Sequence, residues 1–279
     1  MFMNNSSVAV LMSVYRKEQP KYLDLAMHSI WTDQVLKPTQ IILVEDGALT
    51  PELYDSLERW KQELGDVLII HKNKENLGLT KSLNIGITYV TAKYVARMDS
   101  DDVSLPERFS KQVAFLEAHK DISVVGANAQ EIDEDNNYTD IRVYPETNDK
   151  ILSYICKATP LQHSLVMIRR SIFDEGIKYN EEYRMTQDLA LWFDVLAAGH
   201  KIANIPEILF LFRITKDTFS RRNKSKAFHE FKIYMKGIAK LKGFSLRYIY
   251  PISRLILRLM PQKIIKLVYD SKFRKQVLK

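Results

Sequence analysis

A chain of 279 residues is long enough to bury a full core, and its 46% apolar and 27% charged residues exclude a disordered or fibrous protein. A single cysteine, Cys156, excludes a disulfide framework and a thiolate metal site and fits a reducing compartment. The net charge of +7 conceals two regions: residues 216–279 hold eighteen Lys and Arg against three Asp and Glu, or +15, which leaves 23 basic and 31 acidic residues, or −8, for residues 1–215.

The first hundred residues alternate strand and helix patterns. Val8–Val14 is a short apolar run, too short for a signal sequence, that ends in Tyr15-Arg16-Lys17-Glu18. Pro20 opens a helical pattern with Leu23, Ala26, Met27 and Ile30 at three- and four-residue spacing. Ile41–Val44 is a second strand, closed by Glu45-Asp46-Gly47, and Pro51 starts a helix carrying Leu53, Leu57 and Leu64. Val67–His71, Leu79–Val90, Tyr94–Met98, a helix from Pro106 through Ala118, and Ile122–Ala127 continue the alternation. Beyond it come a polar loop at Glu131–Asn137, a helix at Asp149–Ile155 and a strand at His163–Ile168. An amphipathic helix follows Gln187-Asp188 and ends at Gly199, and Ile202–Phe212 reads as extended segments broken at Pro206.

Short apolar strands separated by helices imply a mostly parallel sheet with helices on both faces, in which ligands bind beyond the carboxyl ends of the strands. Arg16 to Glu18, Glu45 with Asp46, and Asp99 to Asp102 each follow such an end, so three strand ends converge on one crevice. The run Asp99-Ser100-Asp101-Asp102 places three carboxylates within four positions, and such a cluster repels itself without a cation among the charges. Mg²⁺ or Mn²⁺ answers that need with oxygen ligation and open positions for phosphate oxygens; a solvated acidic loop with Asp102 capping the next helix is the alternative. There is no G-x-G and no G-x-x-x-x-G-K, so dinucleotide-binding and P-loop fingerprints are absent.

Taken together, these clusters resemble those of family 2 glycosyltransferases of the GT-A fold, particularly bacterial enzymes of surface-polysaccharide synthesis. The resemblance runs from about Val8 to about Ser220. It rests on Ser13-Val14-Tyr15 with Glu18, Val44-Glu45-Asp46-Gly47, Asn76-Leu77-Gly78 with Asn84 and Gly86, and Met98-Asp99-Ser100-Asp101-Asp102 with Pro106 and Arg108. Further along are Pro160, His163 and Arg169, then Gln187-Asp188-Leu189-Ala190-Leu191-Trp192 and Phe212-Arg213. D-x-D alone is weak; seven pieces in order are strong.

The resemblance implies an inverting, metal-dependent transferase that moves a hexose or N-acetylhexosamine from a UDP-sugar to a lipid-linked glycan. Tyr15, Glu18 and Asp46 would line the nucleotide pocket, with Asp46 accepting from the N3–H of a uracil-like base. A turn role before Gly47 is the plainer reading of Asp46. Asn76 and Lys81 would edge the pocket near ribose or phosphate. Asp99 would lie nearer the ribose, Asp101 would ligate Mn²⁺ or Mg²⁺, and Asp102 would share the metal or cap a helix. Asp188 would be the base that takes the acceptor proton, its alternative being an ordinary helix-capping carboxylate. Many relatives have a second acid before the base, where this chain has Gln187. His163 and Arg213 occupy positions near the acceptor or diphosphate, or serve as buried structural groups. Trp192 belongs to the core.

The expected organisation is a catalytic domain over residues 1–220 and a basic helical tail over 221–279. No run of eighteen apolar residues exists, so no classical membrane span is expected. In the tail, Leu246–Met260 mixes Ile249, Ile252, Leu255, Ile256 and Leu259 with Arg247, Arg254 and Arg258, and Pro261 separates it from Ile264–Val268. Such a basic amphipathic helix suits an anionic membrane surface, and a packed cap or an oligomer contact are its alternatives. The expected location is therefore cytoplasmic, peripheral on the inner face of the cell membrane. The tail has no groove-reading motif and no regular aromatic spacing, which argues against nucleic acid. A nucleotidyltransferase and an inactive GT-A domain that only binds membranes are the competing function classes.

Overall fold

The computed structural model describes residues 7–215 and 224–259. Its nitrogen-terminal half follows the predicted alternation: β1 (Val8–Val14), α1 (Pro20–Ile30), β2 (Gln40–Glu45), α2 (Pro51–Leu64), β3 (Leu68–Lys72), α3 (Leu79–Ile87) and β4 (Tyr94–Arg97). Then come β5 (Val103–Ser104), α4 (Arg108–Ala118), β6 (Ile122–Ile132), β7 (Tyr138–Arg142), α5 (Asn148–Tyr154), β8 (Met167–Arg169), α6 (Ser171–Asp174), α7 (Gln187–Ala197) and β9 (Lys201–Arg213). Two helices close the described chain, α8 (Lys224–Lys242) and α9 (Ile249–Leu259).

The nine strands form one mixed sheet in the order β3-β2-β1-β4-β8-β6-β9-β5, with β7 paired to β6. The half made of β3, β2, β1 and β4 is entirely parallel; β8 runs antiparallel to both β4 and β6, and β6 is parallel to β9. Both faces are covered, which is why the strands read as continuous apolar runs. Along β1, Val8, Val10, Met12 and Val14 enter the core beneath α1, α2 and α4, while Ala9 and Leu11 enter the core on the α3 and α7 side. That alternation is the two-residue period of a strand used on both faces.

Local signals set the element ends. Pro51 occupies the first turn of α2, Thr50 caps it by accepting from the Leu53 N–H at 3.4 Å, and Gly65 ends it at φ +52°. The register Val14↔Glu45↔Lys72 levels the carboxyl ends of β1, β2 and β3. Met98 N–H donates to Leu11 O at 3.0 Å, so the chain leaving β4 emerges beside the end of β1.

Several expectations need correction. The strand predicted at Ile122–Ala127 continues to Ile132, so the expected loop shrinks to a hairpin turn around Asp133–Asn137 that feeds β7. Asp133 holds that turn by accepting from the N–H groups of Asp135 and Asn137 at 2.9 Å each. The strand predicted at His163–Ile168 is a 3₁₀ turn (His163–Leu165) followed by the shorter β8. Pro206 does not break β9. The pairing jumps from Ala127↔Ile205 to Asn128↔Ile208, so the residue without an N–H sits in a bulge. The helix predicted to Val90 stops at Ile87, and the one predicted from Pro106 starts at Arg108.

Helix α8 packs on α7: Ile233, Tyr234 and Ile238 are buried in the same apolar cluster as Trp192 and Phe193. A Cβ on Gly237 would overlap the Phe193 ring, so the two helices approach as closely as they do because that position lacks a side chain. The predicted break at Pro261, the segment Ile264–Val268 and the join at Ser220 lie outside the described residues.

Candidate active site

The site is built at the carboxyl ends of β1, β2 and β4. After β2, Asp46 is 5% exposed, and its carboxylate is already engaged. Its Oδ1 accepts from the Leu77 N–H at 2.7 Å and from Asn73 Nδ2 at 3.1 Å, and its Oδ2 accepts from the Gly78 N–H at 3.0 Å. Asn76 Nδ2 donates to the Asp46 carbonyl at 3.1 Å. The pairing folds residues 73–78 back over the end of β2. Gly47 permits this: its φ is +83°, and a Cβ there would sit 2.8 Å from the Asn76 nitrogen. Asn76 and Lys81 are exposed beyond this loop, Lys81 on the first turn of α3.

Glu18, after β1, bridges to the acidic run. Its Oε2 accepts from Ser100 Oγ at 2.6 Å, and its Oε1 accepts from the Gln19 N–H at 2.8 Å. Burial, reinforced by Asp99, raises its pKa against the lowering from these bonds. Tyr15 lies half-buried in the same turn, where its carbonyl accepts from the Glu18 N–H at 2.9 Å.

Asp99, Asp101 and Asp102 each present an oxygen within 4.8 Å of the others. Burial, then the charges of Asp99 and Glu18, push Asp101 up to about 7. Burial, then Asp101 and Asp99, hold Asp102 well above the ordinary carboxylate range. A set of oxygen donors whose negative charges oppose one another is what a hard divalent cation relieves, so these residues fit Mn²⁺ or Mg²⁺.

The three aspartates differ in surroundings. Asp101 and Asp99 are half-buried, whereas Asp102 is 1% exposed and its Oδ1 accepts from the Arg213 N–H at 2.8 Å. Arg213 locks the run from behind: Nε donates to Asp101 O at 2.7 Å, Nη1 to Asp133 O at 2.9 Å, and the guanidinium stacks 4.2 Å over Tyr22. This places Arg213 as a buried fastener between β9 and the acidic run.

Asp188 is half-buried in the first turn of α7. Just before α7, Thr186 adopts φ +61°, a left-handed conformation that a β-branched residue rarely takes, and its buried hydroxyl has no hydrogen-bond partner. The approach to α7 is held by α3: Thr80 Oγ1 donates to Tyr183 O at 2.6 Å, and Asn84 Nδ2 donates to Tyr179 O at 2.8 Å. The Tyr179 phenol connects the two halves of the site. It bonds to His163 Nε2 at 2.8 Å and lies within electrostatic reach of Arg97, Asp188 and Asp99. Burial, with Arg97 nearby, keeps His163 neutral by lowering its pKa well below the usual value.

Sequence reading gave no site role to three groups here, although Arg108 was among the residues that carry the resemblance. Arg97 is 1% exposed and forms an ion pair with Asp99. Burial lowers its pKa, but the charges of Asp99, Tyr179 and Asp102 outweigh that and raise it overall. Arg108, fully buried, donates from Nη2 to Arg97 O at 2.6 Å and is pushed down to about 9 by burial. Tyr179 is the third. Arg97 had a signal: a lone arginine inside an apolar run, two residues before an aspartate, requires a buried counter-charge.

A mostly parallel sheet flanked by helices, with carboxylates gathered at the strand ends, is the architecture of GT-A-type folds. Residues 9–177 match the family described as Glycosyl transferase family 2, and the chain belongs to that family. It is 33% identical to the amylovoran biosynthesis glycosyltransferase AmsE of Erwinia amylovora over 267 residues, covering 94% of this chain and 98% of that one. It is 28% identical to the UDP-Gal:alpha-D-GlcNAc-diphosphoundecaprenol beta-1,3-galactosyltransferase of Escherichia coli over 274 residues, 96% of each chain. Among solved structures it resembles the mannosyltransferase PcManGT of Pyrobaculum calidifontis in complex with GDP-Man and Mn²⁺, with a TM-score of 0.66 at 14% identity, over 95% of this chain and 76% of that one. The protein is thus a glycosyltransferase of polysaccharide synthesis with a GT-A fold. No described helix is long and apolar enough to cross a membrane.

Proposed function

We propose that the protein transfers a hexose or N-acetylhexosamine from a UDP-sugar to a lipid-linked glycan, with inversion at the anomeric carbon and with Mn²⁺ or Mg²⁺ bound. The observation that carries this reading is the convergence of Asp99, Asp101 and Asp102 beside Glu18, one strand away from Asp46. Asp101 would be the principal metal ligand, since Asp102 is held by the Arg213 N–H and Asp99 by Arg97. Bound there, the metal would supply positive charge to the departing diphosphate. One relative supports a donor and acceptor of these classes, being named for UDP-Gal and a diphosphoundecaprenol-linked sugar.

The chain's own residues provide the rest. Asp46 Oδ2 accepts one bond, from Gly78, and retains acceptor capacity for a pyrimidine N3–H. Tyr15, Asn76 and Lys81 border the same pocket, and Asp99 faces the ribose. Asp188 takes the proton of the acceptor hydroxyl; that oxygen bonds to the anomeric carbon as its bond to the diphosphate oxygen breaks, and the electron pair leaves with UDP. One base and no protein nucleophile give a single displacement, hence a β-linkage from an α-linked donor. The transferase works as a peripheral protein on the cytoplasmic face of the cell membrane, where its acceptor is anchored.

A thermal-shift panel of UDP, GDP and UDP-sugars with and without Mn²⁺ tests the donor claim. UDP with Mn²⁺ is expected to raise the midpoint and GDP to raise it less. Asp101→Ala is expected to abolish the Mn²⁺-dependent part of the shift while the protein stays folded. An unchanged shift in that variant would overturn the metal assignment.

A further inference from the structure

On a basic amphipathic helix packed as a cap, apolar side chains face the body and arginines face water. On α9 both arginines are instead tied to the body: Arg254 Nη2 and Arg258 Nη1 reach the two carboxylate oxygens of Glu230, on α8, at 2.9 and 2.5 Å, with 38 and 36% of their side chains exposed. In the 3₁₀ turn just before the helix, Arg247 Nη1 donates to Leu152 O at 2.8 Å. Glu230 is 6% exposed, and Pro251 is buried on the same side. The opposite side carries Ile249, Ile252, Ile256 and Leu259 at helical spacing, 65, 43, 51 and 40% exposed. Phe244 and Leu246, just before the helix, are exposed at 103 and 91%.

We propose that α9 lies in the plane of an anionic membrane with Ile249, Ile252, Ile256 and Leu259, together with Phe244 and Leu246, among the acyl chains, while the Arg254/Arg258–Glu230 clamp fixes it to the body. This deepens the peripheral attachment proposed above and rests on that part of the reading. Charge selects lipid as the occupant. Residues 260–279, which follow the stripe directly, hold six Lys and Arg against one Asp, complementary to anionic head groups. A second protein copy is the weaker candidate. Four stripe side chains on a helix about 16 Å long cover far less than the roughly 1,200 Å² that a specific protein interface takes.

The arginines of α9 are thus paired with Glu230 and serve first to hold the helix to the body. The basic residues beyond it draw the protein to the surface, and apolar burial keeps it there. Co-sedimentation of the full chain with vesicles of phosphatidylcholine, alone or mixed with phosphatidylglycerol, separates these contributions. Binding to the mixed vesicles is expected, with a fraction that survives high salt. Ile252→Asp with Ile256→Asp is expected to lower that binding by about tenfold or more at an unchanged unfolding temperature. Equal binding by the double variant, or binding that high salt removes completely, would overturn the proposal. So would a concentration-dependent dimer that the double variant dissociates while the wild type ignores vesicles. Donor hydrolysis measured in detergent-free solution distinguishes the two readings. Hydrolysis without vesicle binding sinks this inference alone, and vesicle binding without hydrolysis sinks the transferase reading alone.

Discussion

At the scale of single residues, the site's carboxylates do structural work as well as chemistry. Asp46 accepts three hydrogen bonds that close residues 73–78 over β2. Asp46→Asn turns a nitrogen donor toward either the Leu77 or the Gly78 N–H, whichever way the amide lies. We expect a loss of about 1–3 kcal/mol in urea unfolding, together with weaker UDP binding by calorimetry. Asp188→Asn has the opposite profile: donor binding is retained and transfer falls by about 10²-fold or more. His163 predicts a pH effect of definite sign. It stays neutral when folded, whereas the unfolded chain takes up a proton below about pH 6.5, so acidification favours unfolding. The free energy of unfolding is expected to fall between about pH 6.5 and pH 5, with a shallower fall in His163→Gln. Equal slopes would assign the titration to another group. The candidate donor-site carboxylates were legible in the sequence because each terminates an apolar strand. Tyr179 was not, and for Arg97 the nearby Asp99 gave only part of the signal, because a buried charge or phenol is defined by partners from other elements, such as Arg97 with Tyr179 and Tyr179 with His163.

At the scale of elements, legibility followed periodicity and length. The strands β1 to β4 and the helices α1 and α2 could be read because proline starts, apolar runs and turn residues agree locally. The short β5 and the exposed β7 carry no such signal; they exist because β9 and β6 offer them an edge. A register across the sheet lets Pro206 sit in a bulge of a thirteen-residue strand, and no local rule encodes that register. The contact between α7 and α8 is likewise tertiary and makes its own prediction. A methyl on Gly237 improves helix propensity by about 1 kcal/mol but must displace the buried ring of Phe193. We expect Gly237→Ala to destabilise the protein on balance by about 1–2 kcal/mol, visible as a lower denaturation midpoint. A raised midpoint would mean that α8 rides loosely on α7.

At the scale of the whole molecule, the division between an acidic body and a basic tail does not coincide with the division between core and surface. The sheet separates two apolar clusters, and the one beneath α3 and α7 is completed by α8, which lies in the basic part of the sequence. Burying Ile233, Tyr234 and Ile238 contributes about 1.5–3 kcal/mol each, which together is a large part of an ordinary domain's 5–15 kcal/mol. The charge change places a boundary near residue 220, whereas the burial of Ile233, Tyr234 and Ile238 argues for a folding unit that extends to about Gly243. A chain ending at Gly243 is therefore expected to unfold cooperatively near the full-length temperature and to bind UDP. A chain ending at Ser220 uncovers the face of α7 that includes Phe193 and is expected to lose its cooperative transition or its solubility. Calorimetry on the two truncations decides between the boundaries. A chain ending at Ser220 that melts like the full protein would make α8 an appendage and return the boundary to the place where the charge changes sign.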